Sequence, residues 1–220
     1  MKFPFRTIAF DLDGTLVDSS PDLAAALNHM LVALGRQPIA LSDVLTMVGS
    51  GARTLLKRGF AATGTVDDTL VERGYPIFMQ YYVDHICDLT RPYPGIESAM
   101  DALQDMGVSL AICTNKPEAA AHILVDALGW QSRFSVIIGG DTLSVLKPDP
   151  APLHLAIARA GGGQAAFVGD SIIDVQTAQA AHVPSIAVSF GFADRPVDQM
   201  GATATIDRFD DLIPTLARLH

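Results

Sequence analysis

Cysteine is nearly absent. Cys87 and Cys113 are the only two in 220 residues, and they fall in segments that read as a helix and a strand, with no paired spacing. A disulfide framework and a structural zinc site are therefore not expected. Positive charge is also scarce, with 15 Lys and Arg against 24 Asp and Glu, a formal net charge of -9. No Lys/Arg cluster follows that could track a nucleic acid or an anionic membrane, so neither is expected as a partner. No apolar run approaches the roughly 20 residues of a membrane span. The first residues, "MKFPFRTIAF", run into acids without the apolar region and cleavage site of a secretory signal. These absences lead to the expectation of a soluble, cytoplasmic protein.

Hydrophobic residues make up 49% of the chain and charged residues 18%. Such a composition folds into a globule, large enough for one domain carrying a smaller insert. Short apolar runs at 7–10, 108–113, 136–138, 165–168 and 184–188 do not alternate polar with apolar, so they read as strands buried on both faces. Helical patterns at 96–106, 117–128, 151–160 and 174–181 separate them, punctuated by Pro117 at a first turn and by Gly107, Gly129 and Gly161 past helix ends. Strand and helix in alternation predict an α/β fold with a mainly parallel sheet, which binds ligands outside the carboxyl ends of its strands.

The rhythm breaks between Asp18 and Pro92, where helical patterns follow one another without a convincing strand. "SPDLAAALNHMLVALG" opens this region, with Ser20 read as N-cap and Pro21 at the first helical position. An all-helical subdomain inserted after the first strand is the economical account, with re-entry at "RPYPG". The expected division is 1–17 and 93–220 for the α/β core and 18–92 for the helical cap.

Polar residues directly after the predicted strands converge on one edge of the sheet. They are Asp11 and Asp13 in "FDLDGT", Thr114, Asn115 and Lys116 in "CTNK", Gly139 to Asp141, and Asp170 and Asp174 in "GDSIID", with Lys147 in the "LKPDP" loop. Each has an ordinary reading alone: a D-x-D turn, a helix cap at Thr114 or Asn115, a solvated lysine, a first-turn acid at Asp174. Together they say more. Clustered carboxylates without a counter-ion raise one another's pKa, so the arrangement calls for a cation. Hard oxygen ligands with room for water suit magnesium, and magnesium commonly sits beside phosphate. Lys147, the Thr114 hydroxyl and the Asn115 amide supply donors for phosphoryl oxygens. A carboxylate facing phosphate beside a metal can attack it, and a second acid can protonate the departing alkoxide and later activate water. The paired acids thus divide nucleophile from acid/base.

"DLDGT", the threonine of "ICTNK", the lysine of "LKPDP" and "GDSIID" occur in the order of four motifs, and with them the chain resembles the haloacid dehalogenase superfamily of phosphatases. Through "DLDGTLVDSSPDLAAALN", "MVGSGARTLL", "RPYPG", "GGDTL" and "KPDPAPL" it is similar, within that superfamily, to bacterial phosphoglycolate phosphatases. The resemblance implies a Rossmann-like core with an inserted helical cap, and magnesium-dependent hydrolysis of a small phosphate monoester, with 2-phosphoglycolate the leading substrate. It implies Asp11 as nucleophile and metal ligand. Asp13 would be the acid/base, offering its backbone carbonyl to the metal. Thr114 and Lys147 would bind the phosphoryl group, Asp170 would be a further ligand, and Asp174 would support the metal directly or through water.

In the cap, "VGSGARTLLKRG" places Gly49 and Gly51 before a helix whose first N–H groups can face an anion, and Arg53 where it could pair with a substrate carboxylate. A flexible turn with a surface arginine is the alternative reading of the same stretch. His29, His85, His122, His154, His182 and His220 share no spacing and read as structural or surface residues. A phosphosugar mutase is an alternative activity that Arg53 leaves open, and a binding module without turnover is a further one. A dehalogenase is disfavoured, because displacing halide needs no acid at Asp13. Monomer and homodimer both remain open.

Overall fold

The computed structural model describes residues 3–192 and 195–219. His220, read above as a surface residue, lies outside them. Elements are numbered in chain order. Six strands, β1 (Thr7–Phe10), β4 (Ser109–Cys113), β5 (Val136–Ile138), β6 (Ala165–Gly169), β7 (Ser185–Val188) and β8 (Ala204–Ile206), form one parallel sheet in the order β5-β4-β1-β6-β7-β8. The sheet is covered by α5 (Ile96–Asp105), α6 (Glu118–Ala127), α7 (Ala151–Arg159), α8 (Ile172–Ala180) and α9 (Leu212–Leu216).

Burial on both faces explains the continuous apolar runs. Along β1, Ile8 and Phe10 join the cluster that takes in α5, α6 and α9, whereas Ala9 joins the one under α7 and α8. The second face is lined by small residues, Ala9 and Ala111, against Leu153, Ala156 and Ala178. Burying a side chain the size of Ile8 or Phe10 stabilises by about 1.5–3 kcal/mol.

The five expected strands are present, with ends shifted by at most one residue. β8 is not expected from the sequence, because three edge residues, of which only Ile206 is buried, carry too short a pattern to read. The helix expected from Asp174 starts two residues earlier, at Ile172, because Ser171 caps it.

The all-helical insertion is also present. The chain leaves the core through β2 (Val17–Asp18) and returns through β3 (Arg91–Pro92), which pair antiparallel. Strands of two residues leave no periodic signal, so the sequence does not announce this pair. Between them lie α1 (Ser20–Ala33), α2 (Leu41–Leu45), α3 (Ala52–Thr63) and α4 (Asp68–Asp84). The start of α1 differs from expectation: Ser19 holds the N-cap position, and Ser20 is already helical. Its N–H and hydroxyl both donate to Asp18 Oδ1, at 3.1 and 2.6 Å.

Buried Asp22 in the first turn of α1 accepts from the backbone N–H groups of Leu89 and Thr90 and from the Thr90 hydroxyl. That ties the first cap helix to the returning chain. Leu27, Met30, Phe60, Phe78 and Tyr82 fill the space between the cap helices. Among the described residues no helix is long and apolar enough to cross a membrane.

Candidate active site

The parallel register brings the strand ends level. Phe10 stands beside Ile112 of β4 and Val168 of β6, so the residues that follow meet at one rim. Asp11, Thr114 and Asp170 are all buried there, as are Lys147 and Asp174. Candidate ligand atoms of Asp11, Asp170 and Asp174 lie within 4.8 Å of one another.

Lys147 bridges two of the three acids, with its ammonium 3.1 Å from Asp11 Oδ1 and 2.6 Å from Asp174 Oδ1. Burial works against its charge, but Asp11 and Asp174 outweigh burial and hold the lysine above its ordinary pKa. One ammonium against three carboxylates leaves negative charge over. Burial, with Asp174 adding repulsion, pushes Asp11 up to about 6, against the pull of Lys147. Burial raises Asp170 well above the carboxylate range, and Asp174 and Asp11 raise it further. Three buried hard-oxygen donors with excess negative charge fit a divalent cation such as magnesium.

Neighbouring groups lock these acids in place. Asp11 Oδ1 accepts from the Leu12 N–H at 2.8 Å. Asp170 accepts from the Thr15 hydroxyl at 2.9 Å and the Phe192 N–H at 2.8 Å. Asp174 completes a reciprocal cap with Ser171, whose hydroxyl donates to Asp174 Oδ2 at 2.6 Å. The ordinary reading of Asp174 as a first-turn acid therefore holds alongside its pairing with Lys147. Close approach requires glycine at two points. A Cβ on Gly14, whose φ is +82, would stand 2.3 Å from Asp170 Oδ2, and one on Gly191 would stand 2.3 Å from Asp170 Cβ.

Asp13 occupies a different environment. Both its oxygens lie 3.0 Å from the Lys116 ammonium, and Oδ1 accepts from the Ser19 hydroxyl at 2.5 Å. Its carboxylate is not among the clustered acids, so any share it takes in holding metal falls to its backbone carbonyl. Lys116 also donates to the Tyr82 hydroxyl of α4 at 2.5 Å. The sequence places Lys116 on the rim without giving it a role, and singles out neither Tyr82 nor Ser19 as a site residue. Lys116 had the signal of directly following Thr114 and Asn115, but nothing in the sequence links it to a tyrosine in the cap.

Asn115 differs from the expectation of a phosphoryl donor. Its Oδ1 accepts from the Lys147 N–H at 3.0 Å, and its Nδ2 donates to the Lys147 carbonyl at 3.2 Å and the Gly49 carbonyl at 3.5 Å. The amide grips the lysine loop and touches the cap. Nor does Thr114 or Asn115 cap α6: that role falls to Asp141, whose Oδ1 accepts from the Glu118 N–H at 2.7 Å.

Core and cap enclose a pocket at this rim. Asp11, Asp13, Thr114, Asn115 and Lys116 form its polar side, and Leu23, Val48, Leu55, Phe78 and Tyr82 its apolar side. Gly51, with φ +85, turns the chain into α3 and lines the pocket as well. Arg53 does not line it. Its guanidinium is bidentate to Glu72, at 2.9 Å for each bond, and lies 4.0 Å over the Tyr75 ring at the outer mouth. The described histidines lie away from the pocket: His29 stacks on Tyr81, His85 pairs with Asp88, and His154 contacts the Ala181 carbonyl.

Known proteins share both sequence and architecture. A phosphoglycolate phosphatase of Agrobacterium fabrum is 41% identical over 94% of this chain and 90% of its own length. One from Pseudomonas syringae pv. tomato is 44% identical over 97% of this chain and 80% of its own. A crystal structure described as a predicted phosphoglycolate phosphatase from Haemophilus somnus superposes with a TM-score of 0.90. It is 31% identical and covers 96% of this chain and 97% of its own. The model of the haloacid dehalogenase-like hydrolases matches residues 8–188, and with the clustered acids, Lys147 and the inserted cap in place, the chain belongs to that family.

Proposed function

We propose that this protein hydrolyses a small phosphate monoester, with 2-phosphoglycolate the leading substrate. The observation that carries the reading is the unequal placement of two neighbouring acids in one pocket. Asp11 lies among clustered acids beside Lys147, and Asp13 lies apart from them on Lys116 and Ser19. Relatives named for phosphoglycolate hydrolysis support the choice of substrate.

Asp11, Asp170 and Asp174, with the Asp13 carbonyl, would hold magnesium, which when bound offsets charge on the phosphoryl oxygens. Lys147 and the Thr114 hydroxyl bind the same group. An Asp11 oxygen forms a bond to phosphorus as the ester P–O bond breaks, and Asp13 gives its proton to the departing alkoxide. Asp13 then takes a proton from water, whose oxygen bonds to phosphorus as the bond to Asp11 breaks, releasing phosphate. The cap excludes bulk water while the pocket is closed.

Purified protein supplied with magnesium should release phosphate from 2-phosphoglycolate. No release from any of a panel of small monoesters would overturn the reading. Arg53, on which the mutase alternative leaned, is engaged by Glu72 and Tyr75 outside the pocket, so hydrolysis stands ahead of it.

A further inference from the structure

We propose that Lys116, braced by Tyr82 of the cap, is a specificity-determining residue that binds a carboxylate on the leaving alcohol. The inference rests on the phosphatase reading and names the part of the pocket that selects within it.

The Lys116 side chain is 3% exposed, yet it lines the pocket. A buried ammonium there is costly unless anions face it. Its present partners are both oxygens of Asp13 at 3.0 Å and the Tyr82 hydroxyl at 2.5 Å. Its Nζ lies 4.5 Å from the centre of the Tyr82 ring.

Position then defines the ligand. When Asp13 serves the ester oxygen, that oxygen lies beside the Asp13 carboxyl and therefore beside Lys116. A carboxylate on the ester carbon has its oxygens about 2.6–3.6 Å from the ester oxygen by ordinary bond lengths. It can turn in two directions. One leads back to Asp11, Asp170, Asp174 and Lys147, the place taken by the phosphoryl group itself. The other leads to Lys116, and to a phenol that accepts from that lysine and has its own hydrogen to donate.

Other cations are placed elsewhere. Lys147 is held by Asp11 and Asp174, and Arg53 is held at the mouth by Glu72 and Tyr75. Among the described residues lining the pocket, Lys116 is the one cation. Leu23, Leu55 and Phe78 line the apolar side of the pocket and bring no second charge to it.

The test compares kcat/KM for 2-phosphoglycolate, ethyl phosphate and phosphoethanolamine, using the full chain with magnesium. The wild type should prefer 2-phosphoglycolate to ethyl phosphate by about 100-fold, the scale of a charged hydrogen-bonded contact. Lys116→Met should remove most of that ratio, chiefly through KM, and Lys116→Glu should turn the preference toward phosphoethanolamine. Tyr82→Phe should lower the ratio by about 3- to 10-fold and decides the matter if the lysine variants do not fold.

Equal losses on 2-phosphoglycolate and ethyl phosphate would make Lys116 a prop for Asp13 alone and overturn the inference. A wild type that hydrolyses both equally would overturn it too, while leaving the phosphatase reading intact. A wild type that hydrolyses none of the three would remove that reading and the inference with it.

Discussion

The two sides of the pocket are held by different forces. On the core side, every clustered acid is fixed by directional bonds: Asp11 by Leu12 and Lys147, Asp170 by Thr15 and Phe192, Asp174 by Ser171 and Lys147. On the cap side, Leu23, Val48, Leu55 and Phe78 offer shape and dryness without direction. Lys116 and Tyr82 join the two, and Asn115 makes a weaker link to Gly49. Bond making needs atoms held to fractions of an ångström, whereas choosing a leaving group needs mainly volume and one charge. Errors on the first side should therefore be far more damaging than errors on the second.

The largest expected effect is at the nucleophile. Asp11→Asn should lower phosphate release on the order of 10⁴-fold with the circular dichroism spectrum unchanged. Activity approaching the wild type in that variant would break the contrast at its root.

Next comes the metal. A chelator should abolish turnover and magnesium should restore it. Stability should also respond in a defined direction. Asp11 rises from 3.8 to about 6 on folding, and Asp170 rises as well. The folded metal-free chain thus binds protons more tightly than the unfolded one between about pH 4 and 6, so its stability should fall as pH rises through that window. Magnesium should raise Tm more at pH 8 than at pH 5, checked by thermal melts in both buffers. An equal gain at the two pH values would count against the acidic cluster as its site.

Glycine substitutions give an intermediate effect and separate the two sides directly. Gly14→Ala adds a Cβ at 2.3 Å from Asp170 Oδ2, whereas Gly51→Ala adds one at 3.4 Å from the Asn115 carbonyl. Both positions have positive φ, so both variants carry backbone strain. Magnesium affinity should fall about 10- to 100-fold in the first, the scale seen when groups supporting metal ligands move, and little in the second. Magnesium titrations of activity distinguish them.

The smallest effect is expected at Arg53. Its pairing with Glu72 is more than half exposed on both side chains. Arg53→Ala should therefore lower stability by less than about 1 kcal/mol and leave kcat/KM within a few-fold of the wild type. A large rise in KM for 2-phosphoglycolate would return the substrate carboxylate to Arg53 and weaken the case for Lys116.

The amino-acid sequence by itself determined the α/β core, because apolar runs such as Thr7–Phe10 and Ala165–Gly169 are buried on both faces and leave a local signal. It also determined which residues crowd the rim, since Asp11, Thr114 and Asp170 each follow such a run within two residues. The short β2–β3 pair and β8 stayed hidden, having too few residues to show a period.

Only the tertiary structure decided how those rim residues divide their work. Lys147 lies between Asp11 and Asp174, Lys116 turns instead to Asp13, and Asn115 grips the Lys147 backbone. It also drew Arg53 to Glu72, and set Tyr82 against a lysine 34 positions away. Partners so far apart in the chain are chosen by how the cap settles on the core. Short-range periodicity and capping write strands and helices into the sequence, but the pairing of a buried charge depends on which surfaces meet across the pocket.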